Sequence, residues 1–121
     1  LGVIATDTTG VGTARNNPAA VSYGGDKGIF GFGYSSSATS LTNLVSNTGV
    51  VSADVTGVGT ARESPGATAY GGDKAVFAYG STGSVTSLKN LVSNSGVVAS
   101  DVTGVGTARY GPSAVGFSYS A

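Results

Sequence analysis

Thr9-Gly10-Val11-Gly12-Thr13-Ala14-Arg15 is the stretch that decides the fold, because it returns unchanged at residues 56–62 and 103–109. The interval is 47 residues each time, and more than half of the positions in 1–47 are identical to those in 48–94. Self-similarity at one fixed period indicates a repeat architecture. We therefore predict a single repeat domain over 1–121, with copies at 1–47 and 48–94 and a partial third copy at 95–121.

Each copy alternates short apolar segments with turn residues, a pattern typical of β-strands joined by hairpins. The second copy predicts strands at 66–70, 74–80, 86–93 and 97–102, and the third copy a further strand at 113–120. The fold class expected is therefore all-β, with each 47-residue copy forming a four-stranded antiparallel blade of a β-propeller. The chain would supply about two and a half blades of a partial or oligomer-completed ring. A β-solenoid and a plain β-sandwich are the alternatives.

Side-chain alternation in the second strand of each copy predicts burial on both faces of the sheet. Phe30, Phe32 and Tyr34 would share one face, with small or aliphatic residues on the other, and Phe77 and Tyr79 repeat the pattern. No charged residue interrupts these segments. The bulky face of one sheet is expected to pack against the recessed face of the next, at the density of a protein interior.

The order of Arg62, Pro65, Tyr70-Gly71-Gly72 and then the aromatic segment 74–80 resembles the kelch repeat. The sequence departs from the kelch pattern in two ways: its Gly-Gly pair precedes the second strand instead of ending it, and its fourth strand has no Trp. The likeness is to a divergent kelch-like repeat, of the kind seen in tandem in phage virion and tail-associated proteins. It implies a propeller with 66–70 nearest the axis and 97–102 at the rim, and it implies no particular ligand.

Composition excludes several classes of function. The chain contains neither Cys nor His, so it has no disulfide, no thiolate nucleophile, no imidazole base and no zinc site of the usual ligands. Six acidic and six basic residues cancel, so no field of one sign would gather nucleic acid. No apolar run approaches the length that spans a bilayer. We expect no enzymatic activity, no cofactor, no metal and no membrane insertion. An extracellular or virion location is expected, with the cytoplasm as the alternative, because the lack of Cys is compatible with both.

Most charged residues recur at equivalent positions of the copies, which favours a structural role because an active site needs unlike groups that converge once. We expect each Asp, with the Arg eight residues later, to tie the connection between blades, the Arg donating to carboxylate or backbone oxygens. A ring of Arg residues that binds an anion is the alternative. The structural set is Asp7, Asp54, Asp101, Arg15, Arg62 and Arg109.

Tyrosine and asparagine near the turns are candidates for shallow sugar-binding pockets, because tyrosine supplies an apolar plane with a polar tip. The candidate ligand-binding residues are Tyr23, Tyr34, Tyr70, Tyr79, Asn47 and Asn94. The leading expectation is a non-enzymatic structural or adhesive propeller segment of a phage particle or extracellular assembly. The alternative is a multivalent, lectin-like propeller that binds glycans. The expected partners are further copies of the chain or the missing blades of a longer one.

Overall fold

The computed structural model describes residues 2–117 and contains two antiparallel sheets of three strands each. The first sheet has the order β1-β2-β3 and the second β4-β5-β6, so neighbours in sequence are neighbours in space. No helix occurs among the described residues. The all-β class is therefore confirmed. The strands are β1 Ala19–Tyr23, β2 Lys27–Gly31, β3 Thr42–Val45, β4 Gly66–Tyr70, β5 Lys74–Ala78 and β6 Lys89–Val92.

The first hairpin of each sheet turns through the Gly-Gly-Asp sequence, as predicted. Gly71 and Gly72 adopt φ of 62° and 84°, in the left-handed region that glycine enters without steric cost. Gly24 and Gly25 repeat this geometry in the first sheet. The turn holds Tyr70 directly opposite Lys74 in the ladder, which fixes the register of β4 on β5.

The second strand of each sheet ends earlier than the sequence predicts. β2 stops at Gly31 because Phe32 has φ of 62°, and β5 stops at Ala78 because Tyr79 has φ of 67°. A left-handed residue reverses the alternation of side chains. The prediction that Phe30, Phe32 and Tyr34 share one face is therefore wrong: Phe32 is fully buried, whereas Phe30 is substantially exposed.

The predicted fourth strand of the blade is not a regular strand. The segment after β3 meets it at two isolated bridges, Val45 to Val51 and Thr42 to Val55. Between these bridges the Asn43 side chain donates to the backbone oxygen of Ser52 at 3.2 Å and takes a place that a ladder bond would fill. Segment 97–102 is bridged to β6 in the same way. Each sheet thus has three strands and a bridged fourth segment.

The two sheets pack through an aromatic side chain that fits a glycine. An ideal Cβ at Gly31 would lie 2.8 Å from Cζ of Phe77, so the Phe77 ring lies directly on the backbone of β2. The rings of Phe77 and Phe32 meet edge to face, with centroids 5.2 Å apart. The expected fit of a bulky face against a recessed one is found here. The buried apolar core consists of Ala19, Tyr23, Ile29, Phe32, Ala75, Phe77, Val92 and Val98.

The partial third copy follows the outer face of the second sheet. Pro112 lies so close to Gly66 that a Cβ there would come within 3.0 Å of the proline ring. Further along, a Cβ on Gly116 would lie 2.6 Å from the backbone oxygen of Ala69. Residues 113–117 carry no strand, and the rest of the strand predicted at 113–120 lies outside the described residues.

Candidate functional site

Arg62 is the centre of the junction between the two sheets and is completely buried. Its Nε donates to the backbone oxygen of Tyr79 at 2.7 Å and its Nη1 to that of Thr60 at 3.1 Å. Nη2 donates to Oδ1 of Asn90 at 2.6 Å. The guanidinium carbon lies 4.2 Å from the centroid of the Phe32 ring, which belongs to the other sheet. The side chain therefore binds its own sheet by hydrogen bonds and the preceding sheet by a cation–π contact.

The backbone of Arg62 also joins the two sheets. Its carbonyl accepts a hydrogen bond from the Gly33 amide at 3.0 Å, and its own amide donates to the carbonyl of Thr39 at 3.3 Å. Two residues further on, the Ser64 amide donates to the Asn17 carbonyl at 3.0 Å. The Thr-Gly-Val-Gly-Thr-Ala-Arg segment is thus a connector bonded to both sheets.

Asp101 completes the junction from the bridged segment after β6. Its carboxylate accepts bonds from the amide and the hydroxyl of Thr60, at 3.1 Å and 2.6 Å, and from Nδ2 of Asn90 at 2.9 Å. Desolvation acts to raise the pKa of Asp101, but the hydrogen bonds from Thr60 and Asn90 outweigh it and hold the pKa below its ordinary value. Burial lowers the pKa of Arg62, and the Asp101 carboxylate opposes that shift.

The first copy repeats this arrangement. Arg15 donates to the carbonyl of Phe32 at 2.8 Å and to Oδ1 of Asn43 at 2.6 Å. Asp54 accepts from the hydroxyl of Thr13 at 2.7 Å and from Nδ2 of Asn43 at 2.9 Å, and its pKa is lowered by these hydrogen bonds. Nη1 of Arg15 lies 4.0 Å from Oδ1 of Asp54. The same residue types therefore make the same bonds 47 residues apart.

These contacts correct the predicted pairing of the charges. Arg15 lies near Asp54 of the following copy, and Arg62 is linked through Asn90 to Asp101 of the following copy, so neither pairs with the Asp eight residues before it. The cause is topological, since the Asp follows the third strand of the sheet that the Arg precedes. Asp7 is exposed. The predicted bonds from Arg to backbone oxygens are present. Four of the six residues of the structural set come together in two pairs, whereas Asp7 and Arg109 are not brought together with a partner of the set.

Arg109 begins a third junction. Its carbonyl accepts from the Gly80 amide at 2.9 Å, and its guanidinium carbon lies 3.9 Å from the centroid of the Tyr79 ring. Its Nη1 donates to the carbonyl of Thr107 at 2.9 Å. Arg109 is nevertheless exposed, because no described sheet lies beyond it.

The predicted Asn residues bind turns of the protein itself. Nδ2 of Asn47 donates to Asp26 at 2.9 Å, and Nδ2 of Asn94 donates to Asp73 at 3.0 Å. The neighbouring Lys of each turn lies 2.9 Å from the same carboxylate. Hydrogen bonds from this Lys and from the Asn lower the pKa of both Asp26 and Asp73. The two Asn side chains therefore hold the loop after β3 or β6 against the first hairpin.

The predicted tyrosines are dispersed. Tyr23 is buried at the junction, where a Cβ on Gly96 would lie 2.9 Å from its ring. Tyr79 lies under Arg109, and its hydroxyl donates to the carbonyl of Val105 at 3.2 Å. Tyr34 and Tyr70 are both partly exposed, but each lies in a different copy. The structure does not gather the predicted ligand-binding set into one site.

One cleft that the sequence reasoning did not identify lies beside the connectors. It has a volume of about 530 Å³ and combines the exposed Tyr110 ring with the Glu63 carboxylate and the Asn17 amide, which donates to Glu63 at 3.1 Å. Glu63 and Tyr110 hold the same place in successive copies, where the first copy has Asn16. This departure from the repeat was the only available signal. The remaining lining residues are Ser64, Ser81, Gly83, Ser84 and Val85.

Comparisons with known proteins give no relative from which a function is transferred. No model of a protein family matches the chain, and no curated protein does. Within residues 2–117, no three acidic side chains are grouped closely enough to hold a metal ion. That same part of the chain has no helix with the length and apolar character needed to cross a membrane.

Proposed function

We propose that the protein is a non-enzymatic, structural or adhesive segment of a β-propeller, in which each 47-residue copy forms one blade. The observation that carries the proposal is that the most recurrent polar residues bind the protein itself. Arg62, Asn90 and Asp101 form one bonded network between two sheets, and Arg15, Asn43 and Asp54 form its counterpart. Because these side chains are bonded to one another and to the backbone, the proposed role of the motif is to join neighbouring blades and not to take part in a reaction.

The hydrogen bonding of the buried polar groups fits a structural role. In the part of the chain that the structure describes, every buried side-chain nitrogen or oxygen has a hydrogen-bond partner, as is usual for polar groups that hold a fold together. The bridged fourth segments supply the outer edge of each blade in the kelch-like interpretation, and further blades, from additional copies or from a longer chain, cover the two outer faces. Such a ring suits a phage particle or another extracellular assembly.

A series of chains with inserted copies of residues 48–94 tests the propeller. A propeller closes with about four to eight blades. The free energy of unfolding in urea should therefore rise with each copy and then step upward at one copy number, where the first and last sheets meet. A rise without a step at any copy number would identify an open solenoid and overturn the proposal.

Binding of carbohydrate is a second candidate function, and the cleft at Tyr110 is the observation that favours it. An exposed aromatic ring beside a carboxylate, an amide and several hydroxyls offers both an apolar plane and hydrogen-bonding groups to a sugar. On a glycan array, saturable binding that is lost in Tyr110→Ala and kept in Tyr34→Ala would establish it. An array without binding leaves the structural role alone.

A further inference from the structure

The outer face of the first sheet is the counterpart of a surface that is buried in the second. Phe30 is 40% exposed, whereas Phe77, its equivalent in the next copy, is 0% exposed because it lies on Gly31 and Phe32. The same holds for Val45, which is half-buried while its equivalent Val92 is fully buried. We name Phe30, Val45 and the nearby Val51 the leading face.

The outer face of the second sheet shows the converse. Tyr70 is 39% exposed, whereas its equivalent Tyr23 is 4% exposed because the turn at Gly96 covers it. Leu91 is 38% exposed, while its equivalent Leu44 is half-buried under the same turn. We name Tyr70, Ala78 and Leu91 the trailing face. Each face is therefore one half of an interface whose other half the same chain carries at its opposite end.

We propose that the trailing face of one chain binds the leading face of a second copy, head to tail, in the geometry in which the second sheet packs on the first. We choose a second copy as the binding partner because the interface between the two sheets of one chain already joins the equivalent residues, Phe77 with Gly31 and Gly96 with Tyr23. An apolar surface of this kind favours association when a complementary surface exists. The inference rests on the proposed blade packing and adds the partner that continues it.

The internal interface specifies the contacts of the assembly. Phe30 of the second copy takes the place of Phe77 and lies on Ala78 beside Tyr79. Gly49 of the second copy takes the place of Gly96, where it covers Tyr70 and Leu91; an added Cβ at Gly49 meets nothing within 4 Å in the single chain. The Ala78 methyl stands where the first sheet has Gly31, so the incoming ring sits slightly further out.

The junction requires one connector, and two copies bring two. Residues 103–112 of the first chain already lie on its second sheet through Arg109 and Pro112. Assembly thus places Arg109 where it donates to the Phe32 carbonyl and the Asn43 amide oxygen of the second copy. The second copy's own Arg15 makes those bonds in the single chain and is displaced. Residues 2–14, which precede it, are exposed throughout. β1 of the second copy then replaces residues 113–117 of the first chain, which lie along β4 in the single chain.

Sedimentation equilibrium of the full chain and two charged variants tests this arrangement. Phe30→Lys blocks the leading face and Leu91→Lys the trailing face, while Val85→Lys changes an equally exposed valine outside both. The unaltered chain and the Val85 variant should exceed the 11.7 kDa of a monomer as concentration rises. Each blocked variant alone should stay monomeric. An equimolar mixture of the two blocked variants should give a one-to-one dimer that grows no further.

Three results would overturn the inference. A monomer at every concentration that still unfolds cooperatively would show that the leading and trailing faces do not bind each other. The proposed blade packing would then be tested separately, by the chains with inserted copies of residues 48–94. Association lost in Phe30→Lys but kept in Leu91→Lys would show two leading faces meeting each other. Arg15→Ala weakening assembly more than Arg109→Ala would show that the wrong connector was assigned. If Phe30→Lys does not fold, Phe30→Ala should weaken assembly at least about tenfold.

Discussion

A buried guanidinium is stable only when its donors and its charge are both matched. Arg62 meets this condition with two backbone oxygens, an amide oxygen and an aromatic face, and the Asp101 carboxylate belongs to the same network. Lysine has neither the planar fork nor the donors in these directions. At the scale of single residues, the connector therefore requires arginine, and Asn90 links that arginine to the aspartate by accepting from the one and donating to the other.

Arg62→Ala should lower the free energy of unfolding by about 1 to 3 kcal/mol, because it leaves the Tyr79 carbonyl and the Asn90 amide oxygen without their donor. The matched control is Arg109→Ala, which removes an exposed arginine from the same repeat position. Urea unfolding at low protein concentration measures both. An equal effect of the two substitutions would contradict the assignment of Arg62 as the central tie.

Asp101→Asn should alter the response to acid. The pKa of Asp101 is lower in the folded chain than its ordinary value of 3.8, so its ionised form stabilises the fold above that pH. This stabilisation is lost as the pH falls through the folded pKa. The variant should therefore be less stable than the unaltered chain at pH 7, and the difference should shrink below pH 3.8. Melting temperatures of the two chains across this range measure it, and equal melting temperatures at pH 7 would contradict the role of the Asp101 carboxylate.

At the scale of strands, the position of a glycine in the ladder decides what it does. Gly31 ends β2 and receives the Phe77 ring, whereas Gly28 is the second residue of the strand, where a Cβ would meet Val45 at an ordinary 3.5 Å. The equivalent positions in β5 are both alanine, at Ala75 and Ala78. Only the position at the sheet junction distinguishes the two glycines.

Gly31→Ala should destabilise the protein by about 1 to 3 kcal/mol, since its methyl group would force the Phe77 ring out of contact. Gly28→Ala should be neutral or stabilise by up to about 1 kcal/mol, because alanine loses less backbone entropy on folding. Thermal and urea unfolding of both variants check this pair. Equal effects would mean that the ring does not lie on the β2 backbone.

At the scale of the whole molecule, identical residues differ because the stack of sheets has two ends. Phe77 has a sheet in front of it and Phe30 does not. Arg62 and Arg109 stack on equivalent rings, Phe32 and Tyr79, but Arg62 is buried and Arg109 is exposed. A repeat protein is stabilised by each copy and by each contact between neighbours, so the same substitution costs more inside the stack than at its end.

Phe77→Ala should therefore cost about 3 to 5 kcal/mol, as expected for a fully buried phenylalanine. Phe30→Ala, measured at a concentration where the chain is monomeric, should cost less than about 1.5 kcal/mol. Raising the concentration should reveal a larger loss for Phe30→Ala if copies associate through it. Similar costs in the dilute monomer would show that the leading face is covered within the single chain.

The sequence by itself determined the local structure. The Gly-Gly-Asp turn and the strand at Gly66–Tyr70 follow from turn chemistry and short apolar segments, and both occur as predicted. The recurrence of Asp and Arg indicated a structural use. In the two junctions that contain both residue types, Arg and Asp bind groups of the protein itself. The alternation of short apolar segments with turn residues also set the all-β class.

The tertiary structure alone decided which residues meet. The left-handed turn at Phe32 and Tyr79 overrides the alternation of the strand, and each ring then lies against the arginine of the next copy, Phe32 against Arg62 and Tyr79 against Arg109. The pairing of Arg62 with Asp101 spans most of a copy and has no signature at short range. Exposure at Phe30 and Tyr70 depends on a neighbouring sheet and not on the residue itself. Such contacts join distant segments, and local patterns carry no information about them.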